Sequence, residues 1–170
     1  MKIVSSMLKE WVDIPKDIDV ITNQKIIEVE SFSPVNTATN LVTGRVLTCE
    51  KHPNSDHLSV TTVDVGDEIL DIVCGAPNVA KDQSVIVAKV GAVLPGEFKI
   101  KEATIRGQAS RGMICSLQEL GFDEKTVPEA YRDGIYAFDH PVEPGLDGLE
   151  AISQDGFVLE LGLTPNRADL

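Results

Sequence analysis

The clearest order along the chain is a series of short runs in which apolar and polar residues alternate. They are LVTGRVLTCEK from Leu41, LSVTTVDVG, EILDIVCG, SVIVAKVG, EATIRG and RGMICS, and glycine opens or closes nearly every one. Alternation bounded by turn formers predicts half-buried strands, and many of them with little helix between predict a small closed sheet. A segment of about 80 residues suits a five-stranded barrel better than a sandwich of about 100 residues. The first run is long enough to serve both halves of such a barrel, and Gly44 within it is the expected bend or bulge.

The flanks read differently. Met7, Leu8, Trp11 and Val12 recur at helical spacing after Ser5 or Ser6, which can cap a short helix that ends at Ile14-Pro15. IIEVESF at 26–32 predicts a strand, and the SPVNTATN stretch after it has the composition of a linker. Beyond the barrel, SLQEL predicts one helical turn, and IYAF and GFVLELGL predict further strands. In LTPNRADL, Thr164 is a good cap and Pro165 a good first helical residue, with Ala168 opening a helix. A helix announced so close to the last residue leads to the expectation that this is a piece of a longer polypeptide. The expected division is 1–39, 40–150 and 151–170.

Charge changes this picture in one place. The net charge of −12 opposes generic nucleic-acid binding, which draws on a basic footprint. Acid is concentrated after residue 120, however, where 3 basic side chains face 11 acidic ones. In the middle, Lys99, Lys101, Arg106 and Arg111 form a local positive cluster opposed only by Glu102. No apolar run approaches the roughly 20 residues of a membrane span, and the N-terminus reaches charge too early for a signal peptide. The expectation is a cytoplasmic protein.

Cys49, Cys74 and Cys115 lie far apart with no C-x-x-C pair, which fits reduced core thiols. Cys49, His52 and His57, with Cys74 or Cys115 as a fourth ligand, match the spacing of no common structural zinc site. Ser116, His52 and Asp56 lack a G-x-S-x-G elbow, and no phosphate-binding glycine pattern precedes a helix. Neither hydrolysis nor nucleotide binding has a visible site.

Three clusters remain: KHPNSDHL from Lys51, VCGAPNV from Val73 and SRGMICS from Ser110. Each alone is a turn or a strand end. In this order and spacing, with VAKVGAVLPG and IKEATIRG between them, they resemble the OB-type tRNA-binding module of aminoacyl-tRNA synthetases and free-standing tRNA-binding proteins. The likeness is greatest to the β chain of bacterial phenylalanyl-tRNA synthetase, because the flanking SSMLKEWVD, IIEVE and LTPNRAD segments resemble that family as well. The fold this implies is mainly β, a five-stranded OB-type barrel inserted into a small, incomplete α/β domain. IIEVESF and GFVLELGL would then be strand partners across the insertion. Two departures shift the positive footprint: His57 stands where the family often has lysine, and Arg111 where it often has an acidic residue.

The function implied is tRNA binding in protein synthesis, within a parent that uses ATP and magnesium to join phenylalanine to its tRNA. The implied partners are phenylalanine-specific tRNA and an α subunit in an α2β2 assembly, with neither DNA nor membrane. No catalytic residue, cofactor or metal is expected in this stretch. Between residues 40 and 120 the only aromatic is Phe98, so base stacking gives way to contact with phosphates and ribose hydroxyls. The candidate contacts are Lys51, Asn54, Lys99, Lys101, Arg106 and Arg111, with Ser110 and Met113 carried over from the family's SxGM pattern. The competing reading, favoured by the net acidity, is a structural or assembly module that touches RNA little.

Overall fold

The computed structural model describes residues 1–162, so the helix expected from Thr164 lies outside the described residues. The chain forms two compact units, one of Met1–Asn36 with the chain from Ser153 onward, the other Thr37–Ile152. In order come β1 (Lys2–Val4), α1 (Ser5–Lys9), α2 (Ile18–Lys25) and β2 (Val29–Pro34). Then follow β3 (Leu41–Lys51), β4 (Ser59–Asp64), β5 (Ile69–Cys74), β6 (Ser84–Ala88), β7 (Val93–Leu94) and β8 (Phe98–Lys99). The last are β9 (Ala103–Ile105), β10 (Gln108–Ser110), β11 (Met113–Ile114), α3 (Gly148–Ala151) and β12 (Phe157–Leu161).

The larger unit is a five-stranded antiparallel sheet in the order β11-β6-β3-β4-β5. Its continuity depends on β3, whose first half pairs with β6 from Leu41↔Ala88 to Arg45↔Ser84, and whose second half pairs with β4 from Arg45↔Asp64 to Lys51↔Ser59. At the changeover a Cβ on Gly44 would sit 2.8 Å from Val63 Cγ1 and 2.9 Å from Val87 Cγ2. Glycine is there because the strand crosses its own barrel core too closely for a side chain. The bulge expected at Gly44 falls just beyond it, between Val46 and Thr48.

The sheet closes into a nearly complete OB-type barrel where the chain before β11 returns to β5. The Arg111 N–H donates to the Asp71 carbonyl at 2.8 Å, and the Val73 N–H donates to Ser110 Oγ at 3.1 Å. Gly112 then turns the chain into β11 with φ of 141°, its α-carbon so close to the Ala88 carbonyl that a Cβ would lie 2.9 Å from that oxygen.

β6 is buried along its whole length. Val85 and Val87 enter the barrel interior with Val46, Val63, Ile72 and Ile114, while Ile86 and Ala88 pack into a second core with Leu41, Leu94, Cys115 and Leu120. A strand covered on both faces reads as an unbroken apolar run, and VIVA does. Burial pushes the Cys115 thiol up to about 12, and all three cysteines are free. IYAF is reduced to a single bridge, Ala137↔Val85, which continues the edge of β6 that the short β11 leaves open. It is held by Asn78, whose side chain accepts from the Ile135 N–H at 2.9 Å and donates to the Ile135 carbonyl at 2.8 Å. SLQEL makes its turn, with Ser116 and Glu119 capping each other's backbone amides.

The smaller unit is a three-stranded antiparallel sheet, β1-β12-β2. β12 pairs with β2 from Phe157↔Pro34 to Leu161↔Val29, joining segments more than 100 residues apart. Ile27, Leu159 and Leu161 form its small core. Two sequence expectations change here. Ser5 makes no cap bond; its buried hydroxyl accepts from the Phe157 N–H at 2.9 Å and anchors β12. The first helix ends at Lys9 rather than at Ile14-Pro15, so Trp11 and Val12 lie beyond it and are exposed, Trp11 at 85%. α2 had no expected counterpart, because the β-branched and amide residues of IDVITNQK carry little helical signal.

Since Gly44 meets two stiff valines in the barrel core, Gly44→Ala is expected to destabilise the chain by about 1–3 kcal/mol, read as a lower midpoint in urea unfolding.

Candidate functional site

Two loops of the barrel come together at one end. The first is the β3–β4 turn, Lys51 to Leu58. The second is the excursion between β6 and β11, which makes the hairpins β7–β8 and β9–β10 before the seam. In an OB barrel these are the loops between strands one and two and between strands four and five, the usual oligonucleotide-binding positions.

His52 joins them. It is buried at 3% exposure, its Nδ1 accepting the Asn54 N–H at 3.0 Å and its Nε2 bonding the Ile105 carbonyl at 3.1 Å. A carbonyl only accepts, so Nε2 carries the proton and the ring is neutral. The sequence suggests a turn residue or an unconvincing metal ligand; the structure makes it the tie between two loops. Around it, Arg106 Nη1 donates to the Asn54 carbonyl at 3.0 Å and Asn54 Nδ2 to the Arg106 carbonyl at 3.4 Å. Arg106 adopts a left-handed φ of 49° and Gly107 follows at 91°, a tight turn that places a cation at the hairpin tip.

Of the eight candidate contact residues, Asn54 and Arg106 therefore meet at the joined tips, and Lys51 ends β3 next to His52, all three exposed. Lys99 and Lys101 are exposed on the same excursion, beside Phe98, which is also exposed. Arg111 is exposed at the seam, 3.9 Å from Asp71, a surface pair worth little. Ser110 is placed inside the seam rather than on the surface: it is 3% exposed, and its hydroxyl accepts from Val73 and donates to the Gly112 carbonyl at 3.2 Å. Met113 is half-buried and lines a separate open groove of about 420 Å³ with Cys74, Gly75, Ala76, Ser116 and Glu119. The VCGAPNV and SRGMICS clusters thus converge on that groove, whose Gly75 borders Leu58 at the end of the β3–β4 turn.

Not every cation is available. Lys89, which the sequence places near the same excursion, is held by Glu68 at 2.8 Å and Asp67 at 3.1 Å. The bond to Glu68 raises the Lys89 ammonium above its usual range, and the bond from Lys89 lowers the Asp67 carboxyl. The larger unit also contains rings beyond residue 120: Tyr131, Tyr136, Phe138 and His140 follow one another at centroid distances of 5.3, 5.1 and 6.0 Å. Tyr136 and Phe138 are packed against the second core, so this row belongs to the fold. Among the described residues no three His, Cys, Asp or Glu side chains converge as a metal site requires.

The family described as "Putative tRNA binding domain" matches residues 41–147. The chain is 51% identical over 170 residues to the phenylalanine–tRNA ligase β subunit of Halalkalibacterium halodurans, covering 94% of this chain and 21% of that one. It is 53% identical to the same subunit of Bacillus cereus and 49% to that of Bacillus subtilis, covering 95% of this chain and 21% of each relative. The chain therefore spans about a fifth of the length of these relatives.

Because the Ser110 hydroxyl is what satisfies the buried Val73 amide, Ser110→Ala is expected to cost about 1–3 kcal/mol of stability. Urea unfolding of the variant measures it.

Proposed function

The chain belongs to the tRNA-binding domain family, and we propose that its barrel binds tRNA at the joined loop tips through phosphates and ribose hydroxyls. The observation that carries this reading is the meeting of the β3–β4 turn with the β6–β11 excursion, which gathers exposed cations onto the part of an acidic protein where OB barrels take nucleic acid. Lys51, Asn54 and Arg106 would form the centre of the contact, with Lys99, Lys101 and Arg111 extending it. Ser110 supports the seam behind it, and Met113 lies in the neighbouring groove. With Phe98 the one Phe, Tyr or Trp on these loops, recognition would follow the shape and charge of a folded RNA rather than base stacking.

For the whole protein we infer the β subunit of a phenylalanine–tRNA ligase, working in the cytoplasm with an α subunit as an α2β2 assembly on phenylalanine-specific tRNA. ATP and magnesium belong to that parent reaction, and no step of it is assigned to residues of this chain.

Binding held by phosphate contacts releases counterions, so log K should fall linearly with log salt. The triple variant Lys99→Ala, Lys101→Ala, Arg106→Ala is expected to flatten that slope by about two to three, at roughly 0.7–0.9 per lost contact. A salt titration of tRNA binding by the 170-residue chain reads this directly. Affinity independent of salt, or a slope the triple variant leaves unchanged, would instead support an assembly module that does not grip RNA.

A further inference from the structure

We propose that His52 is a positioning residue for this tRNA surface: its neutral imidazole locks the β3–β4 turn to the β9–β10 hairpin, so that Lys51, Asn54 and Arg106 are presented together. The inference rests on the reading of the barrel as a tRNA binder and names what assembles that site.

The geometry behind it is specific. Of the residues on the β3–β4 turn from Lys51 to His57, His52 alone is buried, at 3% exposure. It makes one hydrogen bond on each side of the junction, to Asn54 of its own turn and to Ile105 of the hairpin. The remaining bonds across the junction, between Asn54 and Arg106, are exposed to water. Exposed bonds exchange readily with solvent, so the buried imidazole is the one tie that water does not replace. β9 and β10 are three residues each, and beyond the Ser110 seam at its base the hairpin has little sheet of its own to fix its tip. Two loops held in place before RNA arrives avoid the ordering cost that two mobile loops would pay on binding.

The two bonds of His52 can be separated by substitution. The amide nitrogen of glutamine reaches about as far as Nε2, so His52→Gln keeps the bond to the Ile105 carbonyl and loses the one to Asn54. The amide oxygen of asparagine lies near Nδ1, so His52→Asn keeps the bond to Asn54 and loses the tie to the hairpin. Each variant gives up one hydrogen bond, and a role confined to stability would penalise them alike.

The test measures tRNA affinity at low salt, urea unfolding and amide exchange for the 170-residue chain and both variants. Expected are His52→Gln within about twofold of the unsubstituted chain, and His52→Asn weaker by about tenfold, the worth of one charge-assisted contact. Faster exchange at the β9–β10 amides should appear in the Asn variant only. If the two variants bind alike while the unsubstituted chain binds well, the lock is overturned and the tRNA reading stands. If the unsubstituted chain fails to bind at low salt, the tRNA reading itself is overturned, and the proposal with it. Should a variant not fold, the ¹⁵N imidazole spectrum of the unsubstituted chain decides: a neutral ring protonated at Nε2 supports the lock, and one protonated at Nδ1 overturns it.

Discussion

The larger unit depends on one strand serving two neighbours. β3 carries β6 on its first half and β4 on its second, and the exchange takes place over Gly44 and the irregularity after Val46. This continuous strand is what makes a single sheet of five strands out of two halves that would otherwise face each other separately. The same constraint aims the loops. A sheet that coils back on itself leaves the β3–β4 turn and the β6–β11 excursion at one end, and the seam at Ser110 and Arg111 holds the root of the excursion against β5.

The charge of the protein follows this plan. A net charge of −12 is a poor match to a polyanion, yet its acid is weighted toward the chain after the barrel strands. Among the described residues, Lys51, Lys99, Lys101 and Arg106 on the converging loops have no carboxylate partner, while Lys89 is neutralised by Asp67 and Glu68. Local density of charge, rather than its sum, is what a ligand within one Debye length experiences. An acidic protein can therefore carry a positive face, and it can do so without aromatic rings if the ligand is a folded backbone instead of a splayed strand.

The motif clusters divide by the work their residues do. KHPNSDHL contributes a buried histidine that ties loops together and exposed side chains beside it. SRGMICS contributes the hydroxyl and the glycine of the seam. VCGAPNV contributes the Asn78 side chain that holds Ile135 and so completes the edge of β6. Much of what looks like a binding signature in these segments maintains the barrel, and the proposed contact surface combines the exposed Lys51, Asn54 and Arg111 within them with Lys99, Lys101 and Arg106 between them.

The barrel strands were legible in the residues, because alternation and turn chemistry are local, while the pairing of 29–34 with 157–161 was implied by the family resemblance and the two-sided burial of β6 was not read. The positive cluster from Lys99 to Arg111 was visible for the same reason, being close in sequence. Other features were hidden. Trp11 sits at helical spacing yet remains exposed, Ser5 bonds a strand 152 residues away instead of capping its helix, and Ser110 faces Val73 across the seam. His52 offered no sign of its role, since its partner Ile105 is 53 residues distant. Local pattern was enough for the barrel strands and the family, but not for α2 or for the single bridge that IYAF makes. Only the tertiary structure decided which polar side chains are spent inside the fold and which are left for a ligand, because that choice depends on hydrogen-bond partners brought together by barrel closure.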